Sequence, residues 1–159
     1  MKVSLITVCW NVAPVIAETL DSVFAQEHQD LEVIVIDGAS KDGTLDILET
    51  YRPRLAHLVS EKDHGIYDAM NKGLARATGD IIGFVNAGDL LMDPTVITEV
   101  VKKFQTHKVD AVYGDIIMVD ENDISQVKRT WKSGDYHKSN FTKGWMPPHV
   151  ATFIRKSAY

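Results

Sequence analysis

The strongest constraint on this chain is an alternation that runs from Val3 to about His107. Short apolar runs rich in β-branched residues take turns with stretches whose apolar residues recur every three or four positions. Val3 to Cys9 (Val-Ser-Leu-Ile-Thr-Val-Cys) reads as a buried strand. Ile16, Leu20, Val23 and Phe24 then fall on one helix face. Leu31 to Ile36 is a second strand, ended by Asp37-Gly38. Leu45, Ile47, Leu48 and Tyr51 predict a short helix that stops before Pro53. Leu55 to Val59 predicts a third strand. Ile66, Ala69, Met70, Gly73, Leu74 and Ala77 line a helix face, with Asp68 and Lys72 able to pair at i, i+4. Ile81 to Val85 is a fourth strand. Asp93-Pro94 predicts an N-cap and first helical residue ahead of the stripe Ile97, Val100, Val101, Phe104. Such a βαβα series forms a mostly parallel sheet with right-handed crossovers, flanked by helices in three layers.

Beyond His107 the pattern loosens. Ala111 to Val119 predicts a strand pair, and Val127 to Lys132 and His149 to Lys156 further strands. Tyr136 to Pro148 is polar, aromatic and weakly periodic. We expect one domain over residues 1–159, with 1–119 a nucleotide-binding half and 120–159 the start of an acceptor-facing half. The last strand is followed by no closing helix, so a truncated protein is expected.

Composition narrows the function. A chain of 159 residues can bury roughly 70% of its unfolded surface. Its net charge of −5 and lack of basic runs argue against nucleic-acid partners. Cys9 is the sole cysteine and reads as core, which suits a reducing compartment. No apolar run nears the roughly 20 residues of a membrane span, and the strand at Val3 leaves no room for a signal peptide. A cytoplasmic protein is expected, with peripheral contact at the inner membrane face left open.

Ligands of open α/β sheets bind outside the carboxyl ends of the strands, and three polar segments fall there. Asp37-Gly38-Ala39-Ser40-Lys41-Asp42-Gly43-Thr44 follows the second strand. A strand-end Asp can accept from a base or ribose, and the same residues also suit an ordinary turn and helix cap. His64-Gly65-Ile66-Tyr67-Asp68 introduces a helix, either as a loop over a diphosphate or as a turn with a favourable N-terminal charge. Asn86-Ala87-Gly88-Asp89 ends the fourth strand, where a carboxylate could hold Mg²⁺ or Mn²⁺ against a diphosphate, or cap the next helix. Trp145-Met146-Pro147-Pro148-His149 could stack on a sugar ring, or Trp145 could simply fill the core. There is no G-x-G-x-x-G, G-x-x-x-x-G-K-[ST] or G-x-S-x-G, and no zinc framework.

In this order the segments resemble the family 2 glycosyltransferases, inverting enzymes of the GT-A fold that use nucleotide-sugar donors. Val3 to Val8 with Asn11 is similar to the opening strand, and Val35 to Thr44 to the second-strand turn. Gly65 to Gly73 is similar to the form in colanic-acid and related exopolysaccharide or lipopolysaccharide transferases. The resemblance implies that Thr7, Val8, Asn11 and Asp37 cradle the nucleoside, with Asp37 accepting from the base. It implies that Ser40 and Asp42 shape the turn and that Asp89 binds a divalent cation; His64 and Asp68, from the loop ahead of the third helix, are expected to bind the nucleotide as well. Trp145 and His149 would lie on the acceptor side. The implied reaction moves a hexosyl group from a UDP-sugar by default, or a GDP-sugar, to a saccharide or lipid-linked acceptor in cell-surface polysaccharide synthesis.

Three departures qualify it. Asn86 and Gly88 stand where the family often has acids, and Met70 where many members carry Arg. The family's catalytic Asp or Glu matches nothing here and is expected beyond Tyr159. The alternatives are a non-catalytic nucleotide-sugar-binding module and, more remotely, a nucleotidyltransferase, whose Gly-rich basic loop Cys9-Trp10-Asn11-Val12-Ala13 does not supply.

Overall fold

The structure, a computed structural model, describes residues 1–159. The elements are β1 (Val3–Cys9), α1 (Ile16–Phe24), β2 (Leu31–Asp37), α2 (Thr44–Tyr51), β3 (His57–Ser60), α3 (Ile66–Arg76), β4 (Ile81–Phe84) and α4 (Val96–Thr106), then β5 (Ala111–Tyr113), β6 (Ile116–Val119), β7 (Val127–Trp131) and β8 (Thr152–Arg155). Six strands form the main sheet in the order β3-β2-β1-β4-β8-β5, and β6 and β7 form a separate antiparallel pair. β3, β2, β1 and β4 run parallel. β8 lies antiparallel to both β4 and β5. This is the expected mixed α/β architecture with a mostly parallel sheet. No helix is long and apolar enough to cross a membrane.

β1 is buried along its whole length because both sheet faces are covered. Its alternate side chains enter two cores. Val3, Leu5 and Cys9 join Leu20, Leu48, Ile97, Phe104 and Phe153 on one face. Ile6 and Val8 join Ile34, Ile36, Ala69, Ala77 and Ile82 under α3 on the other. α3 approaches β1 closely because Gly73 has no side chain: a Cβ there would lie 2.4 Å from the Ile6 Cγ2. That approach fixes the height of the loop preceding α3. Burial pushes the Cys9 thiol far up, with Asp37 adding to the shift, so it stays protonated within the core.

At the amino edge of the sheet, Glu32 on β2 is almost fully enclosed. It accepts from Lys2 Nζ (2.7 Å), Ser4 Oγ (2.5 Å), Thr78 N (2.7 Å) and Thr78 Oγ1 (2.6 Å). Burial raises its pKa, but these bonds together bring it down to about 2.

Several expectations need correction. The helix after Asp93 starts at Val96 with Thr95 as N-cap. Asp93 Oδ1 instead accepts from Thr95 N and Oγ1 in a preceding turn. The orphan Ile97 N–H is taken by Gln26 Oε1 at 3.0 Å, while Gln26 Nε2 donates to Asp93 O. A side chain from α1's end thus does the capping expected of Asp93. On α3 Ala69 and Gly73 are buried, Met70 and Leu74 pack partly buried against the same core and Ala77 is buried just past the helix end, as expected, but Ile66 is 52% exposed, since the helix begins there on the open loop. β3 starts at His57 because Leu55 closes a 3-10 turn around Pro53. β5 and β6 do not pair with each other: β5 joins β8 and β6 joins β7. His149–Ala151 is a 3-10 turn, and only Thr152–Arg155 is strand.

Candidate functional site

Parallel register brings the site's loops together. Cys9 pairs with Asp37, Asp37 with Ser60, and Ile6 with Phe84, so the segments after β1, β2, β3 and β4 leave from one edge of the sheet. Because β8 is antiparallel, its leading residues 149–151 come to the same edge beside β4.

Asp37 lies at the centre of this edge and is fully buried. Its carboxylate accepts from Ser40 N (3.1 Å), Ser40 Oγ and Ser60 Oγ (2.5 Å). Asp37, the expected base acceptor, ties the turn after β2 to the end of β3. Ser40 Oγ in turn accepts from Asn11 N (2.7 Å), and Asn11 Oδ1 accepts from Lys41 N (2.9 Å). Asp42 accepts from Ala13 N (3.0 Å), Thr44 N (3.1 Å) and Thr44 Oγ1 (2.6 Å). Those bonds, led by the Thr44 hydroxyl, hold its pKa low. Asn11, Ser40 and Asp42 thus lace the loop after β1 to the loop after β2. Thr7 and Val8 are buried, so neither presents its side chain to solvent here.

The laced loops enclose an open cleft of about 670 Å³ lined by Trp10, Asn11, Gly38, Ala39, Lys41, Lys62, Asp63 and Gly65. That is the size range of small-ligand sites. Trp10 is 66% exposed beside it, an unusual place for so large an apolar ring. Two non-glycine residues of the cleft, Asn11 (φ 52°) and Ala39 (φ 60°), hold left-handed backbone. Such conformations cost of order 1 kcal/mol and cluster at functional sites. Trp10 and Asp63 are the site residues that the sequence reading did not single out. A large aromatic immediately past the end of a buried strand is the signal for Trp10; nothing local marks Asp63.

His64 and Asp68 sit just outside the cleft lining. Asp68 Oδ2 accepts from His64 N (3.1 Å) and pairs with Lys72 (3.2 Å), which also meets Glu61 (3.0 Å). The His64 N–H and the Lys72 ammonium hold the Asp68 pKa down. The i, i+4 pair exists, and it orders the loop.

On the far side of β1, the turn Asn86-Ala87-Gly88-Asp89 closes with Asp89 N donating to Asn86 O (2.9 Å) and Gly88 N to Thr19 Oγ1 (2.9 Å). Burial pushes the Asp89 carboxyl above the usual carboxylate range. The nearby His149 and the Asn86 main-chain N–H pull it back only in part. No side chain hydrogen-bonds it. Asn86 Oδ1 and Thr7 Oγ1 are buried without any partner. Buried polar atoms are rarely left so, and Asn86 Oδ1 belongs to this same turn. No group of three or more acidic, His or Cys side chains surrounds a metal position. A half-buried carboxylate short of partners still fits a hard cation that takes its other oxygens from a bound diphosphate and water.

Trp145 is half-buried in an aromatic cluster, edge-on to Tyr113 (5.7 Å), Phe141 (5.5 Å) and Tyr136 (6.2 Å). Its Nε1 donates to Ser133 O (2.8 Å). Its ring is thus held in place outside the main core, with Phe141, Tyr136 and Met146 exposed around it.

A family model described as Glycosyl transferase family 2 matches residues 4–158. A PGL/p-HBAD biosynthesis glycosyltransferase of Mycobacterium bovis is 38% identical over 123 residues, covering 75% of this chain and 48% of its own. A mannosyltransferase of Pyrobaculum calidifontis, solved with GDP-Man and Mn²⁺, superposes with a TM-score of 0.65 at 28% identity, covering 78% of this chain and 37% of its own. Staphylococcus aureus TarS 1-349, solved with UDP, superposes with a TM-score of 0.75 at 22% identity over 99% of this chain and 47% of its own. The chain spans less than half the length of each of these three proteins.

Proposed function

Because this chain belongs to glycosyl transferase family 2 and has the GT-A fold, we propose that it forms the donor-binding part of an inverting, metal-assisted glycosyltransferase. The donor is a nucleoside-diphosphate hexose, a UDP-sugar by default or a GDP-sugar, and the acceptor a saccharide or lipid-linked hydroxyl in cell-surface polysaccharide synthesis. The relative bound to GDP-Man and Mn²⁺ supports a nucleotide-sugar donor and a divalent cation. Residues 1–119 carry the donor half and 120–159 begin the acceptor side, at work in the cytoplasm with peripheral contact at the membrane.

One observation carries this reading: Asp89 is desolvated and lacks a side-chain partner, at the same sheet edge as the Trp10 cleft, with His149 beside it. The reaction is a single in-line displacement. An acceptor hydroxyl loses its proton to a base, attacks the anomeric carbon, and expels the nucleoside diphosphate. A bound divalent cation supplies charge neutralisation for that leaving group. Asp89 would hold the cation, with His149 near enough to tune it. Trp10 would offer its face to the nucleobase, and Lys41 and Lys62 place positive charge at the cleft. Trp145 and the exposed aromatics around it would offer stacking faces to a sugar. We assign the base to none of the 159 residues.

Gly88, with no side chain where the family often has an acid, favours a second reading: a module that binds the donor without transfer. Titration calorimetry with UDP and GDP, with and without Mn²⁺, followed by donor hydrolysis, separates the two. Binding with turnover supports the transferase, and binding alone supports the module. If neither nucleotide binds in Mn²⁺, both readings fail.

A further inference from the structure

Within the reading above, and resting on its membrane contact, we infer that residues 127–146 form the surface that meets the bilayer and that their partner is an anionic lipid surface. This segment carries five Lys or Arg against one acid, Asp135, a net charge of +4. The whole chain is −5, so the remainder is −9. Charge so segregated points to a partner of opposite sign. Arg129, Lys132, Lys138 and Lys143 are exposed and form no ion pair, while Lys128 meets Asp120 at 2.8 Å. Trp131, Tyr136, Phe141 and Met146 lie among them, each between 38% and 65% exposed. Solvated cations are ordinary, and so is a single exposed ring. Alternated along one segment they match the headgroup layer, where aromatic rings settle and cations meet anionic lipid.

The fold holds these residues together. Trp145 Nε1 donates to Ser133 O at 2.8 Å and the Tyr113 hydroxyl to Gly134 O at 3.0 Å, which fastens 136–146 to the foot of the β6–β7 pair. At that foot Trp131 pairs with Ile116, and Arg129 with Met118 two residues along on the same face. The pair's acids, Asp120, Glu121 and Asp123, fall in the turn at its other end, beyond Val119 and Val127. Asp115, at the foot, has one oxygen taken by Ser133 N at 2.8 Å. Tyr113 ends β5 at the sheet edge where Asp89 lies. A bilayer on this surface therefore borders the edge that carries the donor-site loops. A lipid-linked acceptor presents its sugar in the headgroup layer, so the rings assigned above to a sugar keep that use. Single-stranded nucleic acid also takes cations and rings, but on successive open faces. Here Tyr136, Phe141 and Trp145 stand edge-on to one another at interplanar angles of 63–79°.

Sedimentation with vesicles of phosphatidylcholine, alone or mixed with phosphatidylglycerol, tests this, with thermal unfolding of each variant as a check. The chain should partition at least about tenfold more strongly onto the mixed vesicles and lose that preference as salt rises. Lys132→Glu/Lys138→Glu/Lys143→Glu should cut the partition roughly a hundredfold, on the order of fivefold for each cation removed. It should leave UDP or GDP binding in Mn²⁺ unchanged. Lys102→Glu/Lys103→Glu/Lys108→Glu makes the same change of net charge where α4 ends, at the opposite edge of the sheet. It should alter the partition by less than about threefold. If the chain binds UDP or GDP but does not sediment with mixed vesicles in low salt, this inference is overturned and the donor-site reading stands. If the two triple variants partition alike, the field of the whole molecule is responsible and the assignment of residues 127–146 is overturned. Tighter binding to an oligothymidylate than to the mixed vesicles overturns it in favour of nucleic acid. If vesicles bind as expected and neither nucleotide does, the surface is upheld and the donor-site reading falls.

Discussion

Asp37 and Asp89 make a controlled comparison. Both follow from strands flanking β1, both emerge at one edge of the sheet, and both are withdrawn from water. Asp37 accepts from Ser40 N, Ser40 Oγ and Ser60 Oγ, with the Cys9 thiol a fourth donor at 3.8 Å. Asp89 has no side-chain donor, and its burial is left uncompensated except by His149 and one main-chain N–H. Location at a strand end is shared, so it cannot separate the two roles. Hydrogen-bond satisfaction can: the satisfied carboxylate builds the site and the unsatisfied one is available to a ligand.

The largest effect expected from this contrast is that of Asp37→Ala. It removes the fully buried acceptor shared by Ser40 N, Ser40 Oγ and Ser60 Oγ and should cost about 3–5 kcal/mol, lowering Tm by roughly 10 °C for a chain of this size. A fall of less than about 3 °C in thermal unfolding would break the comparison.

Glu32 sharpens it as a second satisfied carboxylate. Its pKa is depressed to about 2, so its bonds add stability above the ordinary carboxylate range, and that stability drains away as pH falls through the interval down to about 2. The loss should reach about 3 kcal/mol. In acid titrations followed by circular dichroism, Glu32→Gln should flatten this limb.

Ser60→Ala removes one of the oxygen and nitrogen donors to Asp37 and should cost about 1–2 kcal/mol, measured by urea unfolding. A null result would mean that Ser40, with the Cys9 thiol, satisfies the carboxylate.

Asp89→Ala should have the smallest effect on stability, within about 0.5 kcal/mol or slightly favourable. Its pKa is raised in the folded state, so ionising it costs stability as pH rises past the ordinary Asp range. The same variant should erase the Mn²⁺ dependence of nucleotide binding. In the wild type that dependence should disappear on acidification at a higher pH than an ordinary Asp would give. Retained metal dependence, measured by calorimetry across pH, would remove Asp89 from its assigned role.

The sheet's central strands were readable because burial on both faces leaves an uninterrupted apolar run, as in Val3–Cys9 and Val33–Ile36. Helix faces were readable where the partner core is large, as for Ile97, Val100, Val101 and Phe104. The α3 face was readable too apart from Ile66: Ala69, Met70, Leu74 and Ala77 pack on the core, and Gly73 lets the helix approach closely. Partners set by tertiary contact left no local trace. Gln26 capping Ile97 spans 71 positions, and β8 inserting between β4 and β5 reverses a series that local periodicity continues as parallel. The site followed the same rule. The loops that carry it were visible as polar breaks at strand ends. How Asp37 is held depended on Ser60, which only the fold brings near.

β8 carries a consequence for synthesis on the ribosome. Its partners are β4, some 70 residues earlier, and β5, some 40 earlier. While the nascent chain is shorter than this, the four parallel strands can assemble, but β4 keeps a bare rim and Asp89 lacks the imidazole of His149. The corner of the sheet that holds Asp89 is therefore the last to be completed, and the order of translation sets when its surroundings close.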